Sequence, residues 1–328
     1  MRVVVATAAF AHLTPGATGA ALARAWAGLG AEVAVVPLAD AGAGFATAWS
    51  ELTGESCVVV ESDPPSPGLN LGATSASVGE ALLTADPTAA RLVCELPALD
   101  VHDGGAGMLA ALGCTADVDL TVGVAGLAGI TRLDLAPALG RLAGRELILV
   151  VPASEVERPL CGLRGITSVR GHAVGADVSV LLSTDQALVD LCAALGRPDL
   201  ANLTGAGACG GVGAAVLALG GRVVSGPTLL AGRALLANTI ADADLVVTGA
   251  DQLDFATMGG APVAEVVRLA SEALRPVIAV ARTNYISARE LRTISIESAH
   301  SLAPAPDVVL DAADITEAAT AVARSWSW

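Results

Sequence analysis

Several short loops of the sequence are rich in glycine, in charged side chains or in both, which are the features that suit the binding of phosphate groups. They span residues 39–44, 102–107, 155–159, 205–213 and 248–254. Free backbone N–H groups at glycine turns and helix N-termini can hold an anion, and carboxylates can hold the accompanying metal ion. The loop at 205–213 is not a Walker A motif, because no lysine followed by serine or threonine comes after its glycines.

One of these loops places a histidine directly before an aspartate. His102 and Asp103 have the side chains of a general base and of the carboxylate that orients it. Sequence neighbours on a loop seldom point in the same direction, so we favour a structural or surface role for His102. The other histidines, His12, His172 and His300, do not have the spacing of metal ligands.

Alternating strand and helix patterns at both ends of the chain predict the scaffold for these loops. The predicted strands are residues 2–6, 32–38, 244–248, 276–281 and 307–310. The predicted helices are residues 14–29, 44–52, 228–241, 263–273 and 316–324. This alternation predicts one doubly wound parallel α/β domain made of residues 1–56 and 226–328. In such a sheet, ligands collect beyond the carboxyl ends of the strands, where the loops at 39–44 and 248–254 are expected.

The middle of the chain predicts a second domain, inserted at residues 57–225. A stretch rich in proline, serine and glycine at residues 62–72 is typical of a crossover or linker. After it, strands are predicted at 146–151 and 178–182 and helices at 107–112 and 186–195, with long glycine loops between them. We therefore expect a mixed α/β domain here.

The composition narrows the class of partner. The formal net charge is −15, and all eighteen basic side chains are arginine. Nucleic acid and anionic membranes need basic patches, so neither is an expected partner. No uninterrupted apolar stretch reaches membrane-spanning length. The six cysteines are scattered without a Cys-x-x-Cys pair, which is typical of small core side chains in a reducing compartment. We therefore expect a soluble, cytoplasmic protein.

Motifs along most of the chain resemble, in order, those of one family. The stretches are residues 37–45, 102–113, 146–165, 204–221 and 248–262. They resemble in turn ADGGEGT, NDGGAG-x-x-x-ALG, a strand followed by DVDNPL-x-G-x-x-G, GAGAAGG-x-GAA, and TGEGRLD-x-QT-x-x-GKAP. On these motifs the chain resembles the bacterial glycerate kinases of the two-domain type. The resemblance implies a flavodoxin-like or Rossmann-like doubly wound parallel sheet with an inserted mixed α/β domain.

The same resemblance implies a function and a set of site residues. The implied reaction is ATP-dependent phosphoryl transfer to a hydroxyl of glycerate, with ATP and Mg²⁺ as cofactors and a small glycerate-like substrate. The catalytic residues would be Asp40, Asp103 and Asp254, and a metal ion would be held by Asp254 and Glu155. The residues that would bind substrate and phosphate are Gly42, Gly44, Gly104, Gly105, Arg158, Gly207, Gly210, Gly211 and Gly249. Arg282 is an alternative source of positive charge.

The departures from the family pattern fall in the motif loops. The chain has alanine, valine or glutamine where the family has charged groups, and it has no lysine between Gly260 and Ala261. The replaced positions are Ala8, Ala11, Val174, Ala250 and Gln252. A single lost cation in a phosphoryl-transfer site can lower the rate by on the order of 10³-fold. Low kinase activity is therefore expected.

These departures leave alternatives to an active kinase. One is a catalytically inactive homologue that binds a metabolite or a partner protein and acts as a regulatory module. Another is an enzyme in which the remaining acidic residues serve a different metal-assisted reaction. A homodimer is one possible oligomeric state. Trp326 and Trp328 are expected to pack either on another subunit or in a groove of their own chain.

Overall fold

The computed structural model describes residues 1–60, 69–97 and 99–327. The chain divides into two compact units, which are Met1–Ser56 with Gly226–Trp328 (unit 1) and Cys57–Ser225 (unit 2). No helix within the described ranges is both long and apolar enough to cross a membrane. The linker-like stretch predicted at 62–72 lies largely outside the described residues, and so does Trp328.

The elements follow one another as strands and helices in each unit. Unit 1 begins with β1 (Arg2–Thr7), α1 (Pro15–Ala27), β2 (Glu32–Pro37) and α2 (Phe45–Thr53). Unit 2 contains β3 (Val58–Val59), α3 (Ala76–Thr84), β4 (Arg91–Glu95), α4 (Ala106–Ala111), β5 (Thr115–Ala116), β6 (Leu133–Asp134), α5 (Ala136–Arg141), β7 (Glu146–Val151), α6 (Ile166–Ala173), α7 (Val178–Ala194), α8 (Val212–Ala218) and β8 (Arg222–Ser225). Unit 1 resumes with α9 (Gly226–Arg233), α10 (Leu236–Ala241), β9 (Leu245–Leu253), α11 (Gly260–Glu272), β10 (Val277–Asn284), α12 (Ala288–Thr293), β11 (Ser298–Ser301) and α13 (Ala312–Ser325).

Unit 1 is a parallel five-stranded sheet in the order β2-β1-β9-β10-β11. Counted within the unit, this is the order 2-1-3-4-5 of flavodoxin-like folds. The central strands are apolar and buried on both faces, as parallel strands between helices must be. The predicted α/β fold class with a doubly wound parallel sheet is confirmed.

Helix α1 illustrates how the sequence sets an element of unit 1. The Thr14 side chain caps the helix by accepting a hydrogen bond from the Ala17 N–H, and Pro15 occupies the first turn, where its missing N–H is not needed. Leu22 and Trp26, one turn apart, are fully buried in the core beside the sheet. Burying an apolar side chain of this kind contributes about 1.5–3 kcal/mol.

Unit 2 has its own sheet and its own core. Strands β3, β4, β7 and β8 lie parallel in that order, and β5 pairs with β6 as a short antiparallel ribbon. The β7 side chains from Leu147 to Val151 are buried, and the core around them continues into α4, α7 and α8. Unit 2 is therefore a mixed α/β unit, as expected from the sequence.

Three predicted elements were wrong. Residues 178–182, predicted as a strand, form the first turns of α7, because Asp177 caps the helix through the Ser179 N–H and the buried positions recur at helical spacing. Residues 307–310, predicted as a strand, have no regular structure, and Leu310 packs into the core of unit 1. The predicted helix 228–241 is two helices, α9 and α10, separated at Leu235, whose φ is 52°.

Candidate functional site

The carboxyl edge of the unit 1 sheet is the first candidate site. The strand order reverses between β1 and β9, and the crevice beyond such a reversal is where open α/β sheets bind ligands. Loops from β1, β2, β9 and β10 meet this edge. They carry the predicted site residues Asp40, Gly42, Gly44 and Asp254, and Gly249 lies within β9 itself.

A bidentate ion pair joins strands β9 and β10 near this edge. The Arg282 Nε lies 3.0 Å from Asp251 Oδ1 and the Arg282 Nη2 lies 3.0 Å from Asp251 Oδ2, while Nη1 donates to the Pro306 carbonyl. The Ala11 N–H donates to the same Asp251 carboxylate at 2.9 Å. Each guanidinium nitrogen of Arg282 is thus engaged by a protein oxygen. These contacts use three of the five guanidinium N–H groups, and the Asp251 carboxylate already offsets the charge that an incoming phosphate would need.

Asp254 closes a tight turn at the end of β9. Its Oδ1 accepts hydrogen bonds from the N–H groups of Ala256 and Thr257, both at 2.9 Å, and from the Thr257 hydroxyl at 3.1 Å. The backbone hydrogen bond from Thr257 is the main cause that lowers the pKa of Asp254 below its usual value. The carboxylate is therefore ionised at neutral pH and only partly buried, so it fits the predicted role of a metal-binding carboxylate.

Asp40 and its glycines form the loop between β2 and α2. The Ala41 N–H donates to Asp40 Oδ1 at 3.0 Å, and the Asp40 side chain is half-buried. Gly44 precedes α2 with a φ of 88°, which glycine adopts most readily. Gly249 differs, because a Cβ there would lie 2.2 Å from the Val280 carbonyl oxygen on the neighbouring strand. Close strand packing therefore accounts for Gly249, and the binding roles of Asp40, Gly42 and Gly44 stay predictions.

In unit 2, Asp103 is fully buried and its oxygens are occupied. Its Oδ2 accepts from the Ser75 N–H at 2.8 Å, the Ser75 hydroxyl at 2.9 Å and the Gly107 N–H at 3.0 Å, while Oδ1 accepts from the Gly105 N–H at 2.9 Å. Burial raises the pKa of Asp103, and these hydrogen bonds oppose that shift. This geometry favours a positioning role for Asp103, which joins the start of α3 to the start of α4. Its predicted catalytic role gains no support from these contacts.

His102 is also fully buried, and its hydrogen bond goes to another element than that of Asp103. Its Nε2 lies 2.9 Å from the Thr167 hydroxyl, and its Nδ1 has no hydrogen-bond partner among the described residues. Burial, and secondarily the charge of Arg170, lowers the pKa of His102 to about 4. The imidazole is therefore neutral at pH 7 and out of contact with solvent. This agrees with the structural role favoured from the sequence.

The glycines of loops 102–107 and 205–213 lie where two backbones touch. A Cβ on Gly210, whose φ is 70°, would lie 1.9 Å from the Val101 carbonyl oxygen, and a Cβ on Gly211 would lie 2.6 Å from the Gly104 Cα. The Gly104 N–H donates to the Gly210 carbonyl at 3.1 Å. Close packing alone therefore requires glycine at 210 and 211.

The remaining predicted glycines of unit 2 are also crowded. A Cβ on Gly207 would lie 2.1 Å from the Pro159 carbonyl oxygen, and a Cβ on Gly105 would lie 2.4 Å from the Ala215 Cβ. At Gly104 the nearest atom to an added Cβ would be a Leu191 methyl carbon, at 2.5 Å. Packing explains these residues too, so their presence is not by itself evidence for phosphate binding, which stays a prediction.

Glu155 and Arg158 form a partly buried ion pair beside the 205–213 loop. The Arg158 Nε lies 3.2 Å from Glu155 Oε1, and Glu155 Oε2 accepts from the Cys209 N–H, also at 3.2 Å. Burial raises the pKa of the Cys209 thiol, which therefore stays protonated and is not a nucleophile. Both Glu155 oxygens are already engaged, so Glu155 fits a metal ligand less well than Asp254 does.

Some structurally important residues were not singled out from the sequence. Asp251 falls in the segment 248–254, which was predicted to be a loop; that prediction was wrong, because β9 continues to Leu253. Nothing in the sequence shows that Asp251 binds Arg282. Ser75 is twenty-eight positions before Asp103, and no motif connects the two. Arg170, which donates to the carbonyls of Leu99 and Val101, has no sequence signal either.

Comparison with known proteins decides the family. The sequence profile of the Glycerate kinase family matches residues 65–327. A glycerate kinase of Haemophilus influenzae is 31% identical over 227 residues, which cover 66% of this chain and 59% of that protein. An uncharacterised protein of Mycobacterium bovis, Mb2228c, is 35% identical over 245 residues, which cover 73% of this chain and 58% of that protein.

The chain belongs to the glycerate kinase family. It spans about three-fifths of the length of these curated relatives. A solved structure of a candidate glycerate kinase 2 from Salmonella typhimurium LT2 superimposes with a TM-score of 0.75 at 24% identity, covering 99% of this chain and 98% of that one. At this identity the likeness shows the fold alone.

Kinases of this family imply ATP and Mg²⁺, and the residues present fit them in part. No group of three or more His, Cys, Asp or Glu side chains in the described ranges is arranged to hold a metal ion. Mg²⁺ is often held by one or two carboxylates together with substrate phosphates, so a single ionised carboxylate is a sufficient protein contribution. Asp254 meets that requirement, whereas Glu155 and Asp103 are occupied by protein donors.

Proposed function

We propose that the protein is a glycerate kinase-like phosphotransferase that works slowly, transferring a phosphoryl group from ATP to a hydroxyl of a small glycerate-like acid. The observation that carries the proposal is the match of the Glycerate kinase family profile to residues 65–327. The parallel sheet in flavodoxin-like order supports it, because its carboxyl edge offers a ligand crevice. A cytoplasmic location and a homodimer stay predictions.

The roles proposed for individual residues follow from their contacts. Asp254 holds Mg²⁺ through its carboxylate, and the hydrogen bonds from Thr257 to Oδ1 keep that carboxylate in place. Asp40, half-buried in the β2–α2 loop, is the carboxylate proposed to accept the proton of the substrate hydroxyl. Asp103 holds the starts of α3 and α4 in place. Bound ATP would supply the phosphoryl group, and its Mg²⁺ would neutralise part of the charge on that group.

The slow rate is proposed because positive charge is scarce at the unit 1 edge. Ala11 stands where the family has a lysine, and the nearby Arg282 is bound to Asp251 and Pro306. A cation that stabilises the transferring phosphoryl group is worth on the order of 10³-fold in rate. Each missing lysine therefore lowers turnover unless another donor replaces it.

The engaged state of Arg282 also favours a second candidate function. A homologue that binds a metabolite or a protein without catalysis needs no free cation, and the Asp251–Arg282 pair would then serve only to fix the loops around its site. A repurposed metal-assisted enzyme gains no such support, because the acids that it would need are largely occupied by protein donors.

A ligand-binding and product experiment tests the proposal. A ligand that binds only the folded protein stabilises it by RT ln(1 + [L]/Kd), so Mg-ATP and glycerate should each raise the melting temperature. Phosphorus NMR of the same mixture after long incubation should show phosphoglycerate. Binding of ATP without any product would overturn the kinase proposal in favour of the second candidate. No stabilisation by either ligand would overturn nucleotide binding as well.

A further inference from the structure

Two aromatic side chains of unit 1 are exposed, whereas four of the seven in the described ranges are buried. Phe255 is 59% exposed and Tyr285 is 51% exposed, whereas Phe10, Trp26 and Trp49 are at most 1% exposed. An exposed aromatic ring leaves a large apolar face in water unless a ligand or partner covers it. Their shared exposure therefore requires an explanation.

Both rings are presented by the same kind of turn on neighbouring strands. Phe255 follows Asp254, whose side chain accepts from the Ala256 N–H two positions on, at 2.9 Å. Tyr285 follows Asn284, whose side chain accepts from the Ile286 N–H two positions on, also at 2.9 Å. In each case the aromatic is the residue that the side-chain-closed turn projects outward.

The two turns are linked directly. Strands β9 and β10 are paired in parallel with Leu253 opposite Asn284, and the Tyr285 N–H donates to the Leu253 carbonyl at 2.8 Å. Adjacent parallel strands lie about 4.8 Å apart. Phe255 and Tyr285 are therefore held on adjacent, hydrogen-bonded turns, so a ligand the size of a purine nucleoside can reach both.

The surroundings suit a ligand with a flat, largely apolar ring. The pair lies at the carboxyl edge of the sheet, where such folds bind ligands. The Phe255 turn leads into an apolar cavity of about 330 Å³ lined by Met258, Val263 and Ile294 among others.

We propose that Phe255 and Tyr285 form a stacking surface for the purine ring of a nucleotide. The inference rests on the proposed use of ATP and names the part of this chain that would hold the base. Glycerate carries no ring and cannot use such a surface, whereas every nucleobase has a π-face that stacks on aromatic side chains. Stacking of this kind is worth about 5-fold to about 150-fold in affinity for each base.

The test is isothermal titration of the full chain with ADP and, separately, with pyrophosphate, which carries the two phosphates without the nucleoside. Phe255→Ala and Tyr285→Ala should each weaken the binding of ADP at least about 5-fold and leave the binding of pyrophosphate unchanged. Phe255→Tyr should keep the affinity for ADP. Leu274→Ala is the matched control, because Leu274 is an 89% exposed apolar residue just before the amino end of β10.

The outcomes separate this inference from the proposed function. Unchanged ADP affinity in both alanine variants, with native circular dichroism, overturns the stacking surface and leaves phosphoryl transfer untouched. Equal affinity of the wild-type protein for ADP and pyrophosphate, or no binding of ADP, also overturns it. Aromatic-dependent ADP binding without phosphoglycerate formation supports it and overturns the kinase proposal. Weaker binding of CDP than of ADP would support a purine; equal binding would overturn that choice of base.

Discussion

The buried histidine of unit 2 should make stability depend on pH in a predictable direction. His102 has no solvent exposure, and burial with the charge of Arg170 lowers its pKa to about 4, against a usual value of 6.5. Between pH 6.5 and about pH 4, His102 therefore binds a proton in the unfolded chain but not in the folded chain. The contribution is fully present above pH 6.5 and is lost as the pH falls towards 4.

The size of the effect follows from the same two values. The interval between 6.5 and about 4, at about 1.4 kcal/mol for each pH unit, gives about 3 kcal/mol for His102. His102→Gln cannot take up that proton. The gap in unfolding free energy between the wild-type protein and this variant should therefore narrow by about 3 kcal/mol between about pH 7 and about pH 4.

Urea unfolding followed by far-UV circular dichroism measures this gap. Tryptophan fluorescence would not, because all four tryptophans lie in the sequence of unit 1 and His102 lies in unit 2. His12→Gln is the control, since it makes the same substitution at an exposed histidine. A gap that stays constant across this pH range would refute the argument from burial.

Further variants test other parts of the account. Gly210→Ala should destabilise unit 2 by at least about 3 kcal/mol in urea unfolding. The control is Gly220→Ala, because Gly220 also has a positive φ but has no atom within 4 Å of an added Cβ. This control should lower the free energy of unfolding by only about 1 kcal/mol. Equal losses would mean that backbone crowding is not what requires Gly210. Ala11→Lys should raise phosphoglycerate formation at least about tenfold and Ala11→Gln should not, because only lysine restores the charge; equal rates would count against the missing cation. Asp254→Asn keeps an oxygen for the turn but removes the charge, so Mg-ATP should bind at least about tenfold more weakly in calorimetry, with the exposed Asp242→Asn unchanged.

Much of the fold could be predicted from the sequence because strands and helices alternate with clear periods. The strands at the start of the chain and the helix α13 have unambiguous apolar patterns. The segment Val178–Leu182 misled because its β-branched residues match a strand over so short a window. Its helical character becomes visible only over the full span of α7, where Leu181, Leu188 and Leu191 are buried.

The site was harder to predict because its chemistry depends on contacts between distant residues. Nothing near Asp103 in the sequence reveals that Ser75 and two glycine N–H groups would occupy its carboxylate. The glycine-rich motif at 205–213 indicates phosphate binding equally well whether its glycines face a ligand or another backbone. Only the distance from Gly210 to Val101 shows that packing requires glycine there.

The initial rate of phosphoglycerate formation from Mg-ATP and glycerate shows how far the missing lysines limit catalysis. It should be measured beside the glycerate kinase of Haemophilus influenzae under the same conditions. Because this chain lacks the lysines of the family motifs, we expect product at a rate at least about 10³-fold lower than that enzyme gives. A rate within about tenfold of it would contradict the claim that these cations limit catalysis. The complete absence of product would contradict the claim that phosphoryl transfer remains.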